Sequence, residues 1–459
     1  MTGRSAKTLA AAVLMISIAA AAISSAFFRP PNPPREGRIF GAAAGEAIPP
    51  SSRSAIEQAP GRPRLDELER LIRAFSAQTG ETPNVTGLAF LGRLELERAR
   101  LTGDIGSFTR AERALDDAHG LAPRDAEVGT LLATVRFTTH DFTGALDLAD
   151  AVYSAERDPG ALAVRADAQL ELGRYAAAAA DYRTLSSLLP GSAGVQARAA
   201  RLAFLQGRQA DADRLAAAAE SAARREGAFG ATLAWYGSLR GRMALDGGRY
   251  DEAARHYRRA VLLAPDYHVA IGGLAAVRSA QDRYDEAIEL YERASRLVPE
   301  PQYLASLGDL YMLTGRDDLA ETRYGTVKVI ATLARANRQL YDRQLALFYA
   351  DHDLRPDDAL AIAQQSLETR RDVYGYDALA WALYRLERHD EARAASTRAL
   401  ALGTQDARLW YHAGMISIGL GDDDLAVAQL TRALRLSPSF DPVQSAVARD
   451  ALAELEAGR

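Results

Sequence analysis

The sequence predicts an all-α chain built from repeated helix pairs, and three observations predict it. A block of residues returns at an offset of 34: Gly248-Arg249-Tyr250-Asp251-Glu252-Ala253 and then Asp282-Arg283-Tyr284-Asp285-Glu286-Ala287. Each block is followed at equal steps by a tyrosine (Tyr257, Tyr291), an alanine (Ala260, Ala294) and a proline (Pro265, Pro299). Between the Gly- or Asp-containing turns and the prolines lie stretches of about 12 residues with apolar positions at helical spacing. Proline ends the second stretch because the residue before it resists the α region. A length of 459 residues alone suggests about three domains at ~150 residues each; a fixed period replaces that estimate with one solenoid.

Composition narrows the chemistry. The chain has no cysteine, which excludes a disulfide framework, a thiolate metal site and a cysteine nucleophile. Its net charge of −5 gives no electrostatic case for binding nucleic acid. Only Lys7 and Lys328 are lysines among the 55 basic residues, the bias of a GC-rich genome.

Residues 1–28 read as an export segment. Arg4 and Lys7 precede an apolar run over residues 9–28. About 20 apolar residues at ~1.5 Å each span a bilayer core of roughly 30 Å, and the basic flank stays in the cytoplasm. Ser24-Ser25-Ala26 offers small residues for cleavage, so the segment is either a signal peptide or an N-terminal membrane anchor. Both fates put the rest of the chain outside the cytoplasm. Residues 29–63 carry prolines from Pro30 to Pro63 at a density that leaves no room for a helix, and read as an extended linker.

The folded body follows. Residues 64–91 form an N-terminal capping region, whose helix over 64–78 places Leu65, Leu68, Leu71, Ile72 and Phe75 on one face. Ten units fill residues 92–440, starting near Gly92, Ala126, Pro159, Ala193, Ala234, His268, Pro301, Leu340, Val373 and Ala407. Two junctions are longer, around residues 226–231 and 335–339. The ninth unit has Thr404 where others have proline, and the eighth has Leu354 and Pro356 in its turn. Residues 441–459 form a C-terminal capping helix with Val443, Val447, Ala451, Leu452 and Leu455 inward; a solenoid needs such covers at its ends.

The pattern resembles the tetratricopeptide repeat (TPR), with its small residue, turn glycine, tyrosine, packing alanines, aromatic and final proline at fixed positions. Gly173, Tyr175, Ala178, Tyr182 and Pro190 fit that frame, as do Gly421, Ala426, Ala433 and Pro438, and Gly315, Ala320 and Tyr324. The resemblance covers about 350 of the 459 residues. It implies a right-handed superhelical solenoid whose first helices line a concave groove for extended peptides or helices. Carried over position by position, the lining residues are Trp235 and Arg242 in the fifth unit and Asp309 and Met312 in the seventh. The eighth offers Tyr341, Gln344 and Phe348; the ninth Tyr374, Asp377, Trp381 and Tyr384; the tenth Tyr411, Met415 and Ile418. The first four units offer little beyond Phe137 and Phe204. Aromatic anchors within a polar rim suit a binding surface, so the groove of units eight to ten is the expected main site. Some of these rings pack against a neighbouring unit instead, Trp381 in Ala380-Trp381-Ala382-Leu383 foremost.

No nucleotide-binding loop, nucleophile elbow or zinc-protease motif is present. Asp351-His352-Asp353 is a candidate metal or acid–base cluster, but it falls at a turn within a unit, near the places of His140-Asp141 and His389-Asp390. The recurrence reads as helix capping by aspartate, and Asp422-Asp423-Asp424 as acids at a helix start, short of a calcium loop's ligands. Repeats and caps occupy almost everything after residue 63, which leaves no room for a catalytic domain. The expectation is a non-enzymatic scaffold without cofactor or metal. It would bind a protein or peptide on the extracytoplasmic side of a bacterial membrane, in envelope assembly, secretion or polysaccharide export. The alternatives are a membrane-anchored regulator that sequesters a soluble factor, and an accessory subunit of a TPR-containing glycosyltransferase system.

Overall fold

The computed structural model describes residues 62–102, 104–336 and 343–458. They form helices joined by short turns, with no strand among the described residues. Helix α1 (Arg62–Glu81) precedes ten helix pairs. These are α2 (Val85–Thr102) with α3 (Ile105–Leu121), α4 (Ala126–Thr138) with α5 (Phe142–Glu156), and α6 (Pro159–Glu171) with α7 (Tyr175–Leu188). Next come α8 (Ala193–Leu205) with α9 (Gln209–Arg225), α10 (Gly230–Asp246) with α11 (Tyr250–Leu263), and α12 (His268–Ala280) with α13 (Tyr284–Leu297). The last four pairs are α14 (Pro301–Leu313) with α15 (Asp317–Ala336), α16 (Arg343–Asp351) with α17 (Pro356–Thr369), α18 (Val373–Arg385) with α19 (His389–Ala399), and α20 (Ala407–Gly419) with α21 (Asp423–Leu436). Helix α22 (Gln444–Ala457) follows them; its Ala451, Leu452 and Leu455 pack against the core, whereas Val443 and Val447, read from the sequence as inward, are exposed and Ala448 takes the buried place. The architecture is an all-α superhelical repeat.

Seven pairs start at the residue the repeat frame names. The first does not: α2 begins at Val85, and Gly92 lies inside it, where an added Cβ would sit 2.6 Å from Leu115. The junction around residues 226–231 lengthens α9 and α10 to 17 residues each. The segment over residues 1–28, the linker up to residue 61, and Leu340 and Tyr341 lie outside the described residues.

Local chemistry starts and stops the helices. Asp104, Asp125, Asp141, Asp372, Asp406 and Asp422 are N-caps whose carboxylates accept backbone N–H groups. Pro301 and Pro356 occupy first-turn positions, where the missing N–H costs nothing. Within a pair, the first helix offers a small residue where the second presents a large one. A Cβ at Gly308 would sit 2.1 Å from the Tyr324 ring, and one at Gly414 2.7 Å from Leu430. The packing alanines are fully buried, Ala253 and Ala287 among them. Enlarging either to leucine forces two helices apart and is expected to cost about 1–3 kcal/mol. A urea midpoint equal to that of the wild type would contradict this packing.

The chain divides into two compact bodies. One holds the described residues up to Gln169 together with Ala176–Leu188. Its core includes Leu88, Phe108, Leu115, Leu132 and Val135, and Leu68, Leu71 and Ile72 of α1 cover Leu94 at one end. The other holds Leu170–Tyr175 and the described residues from Leu189 onward. Its core runs through Tyr257 and Leu274, Tyr291 and Leu307, then Tyr349, Trp381 and Leu430, and ends on Ala448 of α22.

Candidate binding surface and the seam between superhelical turns

The residues expected to line the groove fall into two groups in the second body. Phe348, Trp381, Tyr411 and Asp377 are at most 3% exposed. Their position on the first helix of a unit holds, but their side chains pack rather than face a ligand. Trp381 stacks on His412 at 4.2 Å between ring centroids and on Tyr384 at 4.8 Å. Its indole N–H donates to Asp351 Oδ1 at 2.8 Å. Asp377 faces His412 Nδ1 at 2.9 Å, in a pair that is almost fully buried. The second group remains accessible. Arg242 and Met312 are exposed, and Trp235, Asp309, Gln344, Tyr374, Tyr384 and Met415 are half-buried. Tyr341 lies outside the described residues.

Arg242 and Asp246 of the fifth unit lie within electrostatic reach of Tyr374, Asp406 and Arg408 of the ninth and tenth. Arg242 is 62% exposed and bonds both oxygens of Asp246 at 2.7 Å through Nε. Asp246 raises the Arg242 pKa first of all, and Tyr374 of α18 also acts on it. Burial lifts the Asp246 carboxyl to about 6 against the pull of Arg242, helped by the Asp406 charge. Burial likewise pushes the Tyr374 phenol up, with Asp406 and Asp246 adding to it. Arg408 pairs with Asp441 at 3.2 Å and feels Asp351, Asp406 and Asp377 as well.

His352 occupies a place the sequence did not predict. Its Nε2 faces Asp309 Oδ1 at 2.7 Å and its Nδ1 faces the Phe348 carbonyl at 2.8 Å. Both partners are acceptors, so only the doubly protonated imidazolium satisfies both nitrogens. Tyr324 donates to the same Asp309 oxygen at 2.7 Å. Burial opposes the charge, but Asp309 outweighs it and holds the imidazole above its ordinary 6.5. The reading of this cluster as helix capping is therefore corrected: Arg355, not Asp353, precedes α17, and it makes no side-chain cap. Asp390 likewise lies in the first turn of α19 without capping it, whereas Asp141 caps α5 through the Gly144 N–H at 2.9 Å. A raised histidine pKa stabilises the fold fully below the unfolded value near 6.5, and that contribution is lost as pH rises through the higher folded value. The melting temperature is expected to fall across that window in the wild type and to fall less in His352→Gln. Identical pH profiles for the two would contradict the pairing.

A second feature was not legible in the repeat frame: a row of contacts between loops 187 to 199 residues apart. At ~34 residues per repeat this is about five and a half to six repeats, one turn of the superhelix. At the first contact the Tyr175 hydroxyl accepts the Val373 N–H at 2.9 Å, and the Arg371 N–H donates to the Glu171 carbonyl at 2.9 Å. The Glu171 carboxylate, 3% exposed, pairs with Arg201 and, at 2.8 Å, with Arg370. At the second, Thr404 Oγ1 donates to the Leu205 carbonyl at 2.6 Å. Proline in its place has no such donor, which accounts for the ninth unit's departure from the pattern. At the third, the Tyr250 hydroxyl lies 2.9 Å from Ser437 Oγ and accepts the Ser439 N–H at 2.9 Å.

Glycines make these approaches possible. Gly207 has φ +68°, and a Cβ there would sit 2.3 Å from the Gly403 carbonyl oxygen. Gly173 and Gly248 stand in the same relation to the Arg371 and Leu436 carbonyls, each at 2.5 Å. Gly315 and Gly421 make the same left-handed turn with open space beside them. The turn also takes His140, Asp282 and Glu387 at positive φ in other units, while the close approach, which leaves no room for a Cβ, belongs to the third, fourth and fifth units.

Two stretches of the chain match tetratricopeptide repeat models, residues 244–310 and residues 378–439. These are the fifth to seventh units and the ninth and tenth. No curated protein matches the chain. Among solved structures, it is similar to the APC/C hetero-tetramer Cut9-Hcn1, at 16% identity over 88% of this chain and 95% of that one, with a TM-score of 0.32. It is also similar to the human IFIT1 dimer with PPP-AAAA, at 13% identity over 84% and 99%, with a TM-score of 0.43. At these identities the likeness concerns the helical-repeat fold alone. The chain is a solenoid carrying tetratricopeptide repeats, and such repeats generally bind protein or peptide partners. It is thereby marked as a protein-interaction scaffold, a fold that is typically non-enzymatic. Among the described residues no group of three or more His, Asp or Glu is placed to hold a metal ion, and no helix is long and apolar enough to cross a membrane.

Proposed function

We propose that this protein is a non-enzymatic scaffold that holds a segment of a partner protein against the inner wall of its fifth to tenth units, on the extracytoplasmic side of a bacterial membrane. One observation carries the choice of surface. The accessible residues Trp235, Arg242, Met312, Tyr374, Tyr384 and Met415 stand at lining positions on the first helices of the fifth, seventh, ninth and tenth units. They combine aromatic and thioether contact area with charge, the mixture from which binding hot spots are made. The location rests on the basic flank and apolar run of residues 1–28 and on the proline-rich spacer after them. Envelope assembly, secretion and polysaccharide export are the settings such a tethered scaffold suits.

The test is photo-crosslinking in the source cells. A photoreactive residue at Trp235, Met312 or Met415 is expected to capture a discrete partner, and one at Leu262, 82% exposed, is not. Equal capture from inner and outer positions would contradict the assignment of the surface. Fractionation of the same cells reads the location: recovery of the chain in the cytoplasm would contradict the extracytoplasmic part.

A further inference from the structure

The three contacts of the seam differ in strength and in their access to water. The first carries charge and is buried at its centre. The Arg371 and Val373 N–H groups donate across it, and the Glu171 carboxylate holds Arg370 at 2.8 Å. Asp372, 4% exposed, stands beside them and pairs with Arg343 at 2.9 Å. Burial opposes the Glu171 charge, but Arg201 and Arg370 outweigh it and hold the carboxyl at about 2. The bonds that cross the other two contacts are neutral. Thr404 donates to the Leu205 carbonyl at the second, and the Tyr250 hydroxyl meets Ser437 and Ser439 at the third. Hydrogen bonds to ionised groups are roughly twice as strong as neutral ones. The third contact is also bordered by water. An open cavity of about 490 Å³ flanks it, with Gly248, Tyr250, Arg255 and Gln281 in its wall. Tyr250 and Ser439 are half-buried, and Pro438 is exposed.

Chain order puts the strongest contact first. It joins Glu171 to Arg370 and so closes one superhelical turn. The second and third lie beyond it and hold the loops that follow the ninth and tenth units on the turns within the fourth and fifth. The chain beyond the first contact is tied into one block. Arg449 of α22 donates to the Pro438 carbonyl at 2.9 Å, Arg408 of α20 pairs with Asp441 at 3.2 Å, and Gln444 of α22 and Trp381 of α18 share Asp351 Oδ1.

We propose that the seam is a clasp that opens in order: the third contact parts first, the second follows, and the charged first contact holds as the pivot, so that the ninth and tenth units and α22 lift from the fourth and fifth with every helix intact. Water entering beside Tyr250 replaces neutral hydrogen bonds nearly one for one, so their net loss is small. Opening of this kind breaks loop contacts and leaves the packing between neighbouring repeats in place, which sets it below the unfolding of a repeat in free energy. Trp235 and Arg242 stand on one side of the clasp and Met415 on the other, so its state sets how far apart a partner meets them. That consequence rests on the reading of these residues as the binding surface; the clasp itself does not, and its tests need no partner.

Hydrogen exchange of the full wild-type chain, read residue by residue, gives the order of opening. The Ser439 amide is expected to exchange at least ~10-fold faster than those of Arg371 and Val373. In Glu171→Gln, Arg371 and Val373 are expected to exchange faster than in the wild type, and Ser439 at its wild-type rate. Equal protection of the three amides in the wild type, or a variant in which all three speed up alike, would show one concerted opening and overturn the order.

Paired nitroxide labels read the movement. The chain has no native cysteine, so Leu262→Cys/Leu425→Cys places one label on α11 of the fifth unit and one on α21 of the tenth, both at exposed sites. The full chain is expected to give one main distance. Adding Tyr250→Phe and Thr404→Val, which removes the hydroxyls of the third and second contacts, is expected to add a longer distance with the circular dichroism unchanged. A distance distribution that stays as in the parent, with helicity intact, would overturn the clasp. The exchange order is read on the wild type and decides the proposal however the labelled variant folds.

Discussion

Replacing Glu171 with alanine is expected to destabilise the seam by about 3–5 kcal/mol. Its carboxylate is 3% exposed and lies between Arg201 of α8 and Arg370, one superhelical turn further along. Burial alone would raise its pKa; the guanidiniums of Arg201 and Arg370 outweigh burial and hold it at about 2. Without it, two guanidiniums remain in a desolvated site with one partner fewer, and that uncompensated charge is the larger part of the cost. The effect has a pH signature. A carboxyl whose pKa is lowered by folding stabilises the folded state above its unfolded value near 4.5. That contribution is lost as pH falls toward about 2. The gap between wild type and variant in urea midpoint is therefore expected to be full at neutral pH and to narrow across that acid window. A gap below about 1 kcal/mol at neutral pH, the size typical of an exposed pair, would show that the site is wet and the seam loose.

His412→Leu is the second large effect expected. His412 is 0% exposed, stacked on Trp381 and bonded through Nδ1 to Asp377, itself 3% exposed. Leucine keeps the bulk but strands the Asp377 carboxylate in the core, at a cost of about 3–5 kcal/mol. The double variant His412→Leu/Asp377→Leu removes both polar partners, and replacing a whole buried pair is often close to neutral. The expected result is therefore a severe single variant and a milder double variant, read by urea unfolding with tryptophan fluorescence. A double variant worse than the single by the full cost of losing Asp377 would mean the two residues act independently. The measurement also bears on the binding surface, because Asp377 and Trp381 fit the lining positions of the repeat frame and yet serve the core.

The fold was legible because its determinants are local and recur. A glycine at several of the left-handed turns, small residues at the helix crossings and a proline after several of the second helices are visible one repeat at a time. Seven of the ten pairs start where that frame says. The frame was weaker on accessibility. Tyr384 and Trp381 occupy comparable lining positions, but one is half-buried and the other 3% exposed, a difference set by His412 in the next unit. Burial of a repeat residue depends on its neighbours, which a position number does not contain. The seam was out of reach for the same reason. It joins residues about five and a half to six repeats apart, and its only trace in the sequence was Thr404 standing where proline recurs. His352 was misplaced because Asp309, its partner, lies 43 residues earlier across a lengthened unit.

Hydrogen exchange of the full chain at neutral pH tests the seam most directly. The amides of Arg371, Val373 and Ser439 sit in loops but donate across the superhelical turn. They are expected to exchange at least ~100-fold slower than open loop amides. Exchange at the rate of unprotected loops at all three positions would contradict the closed seam.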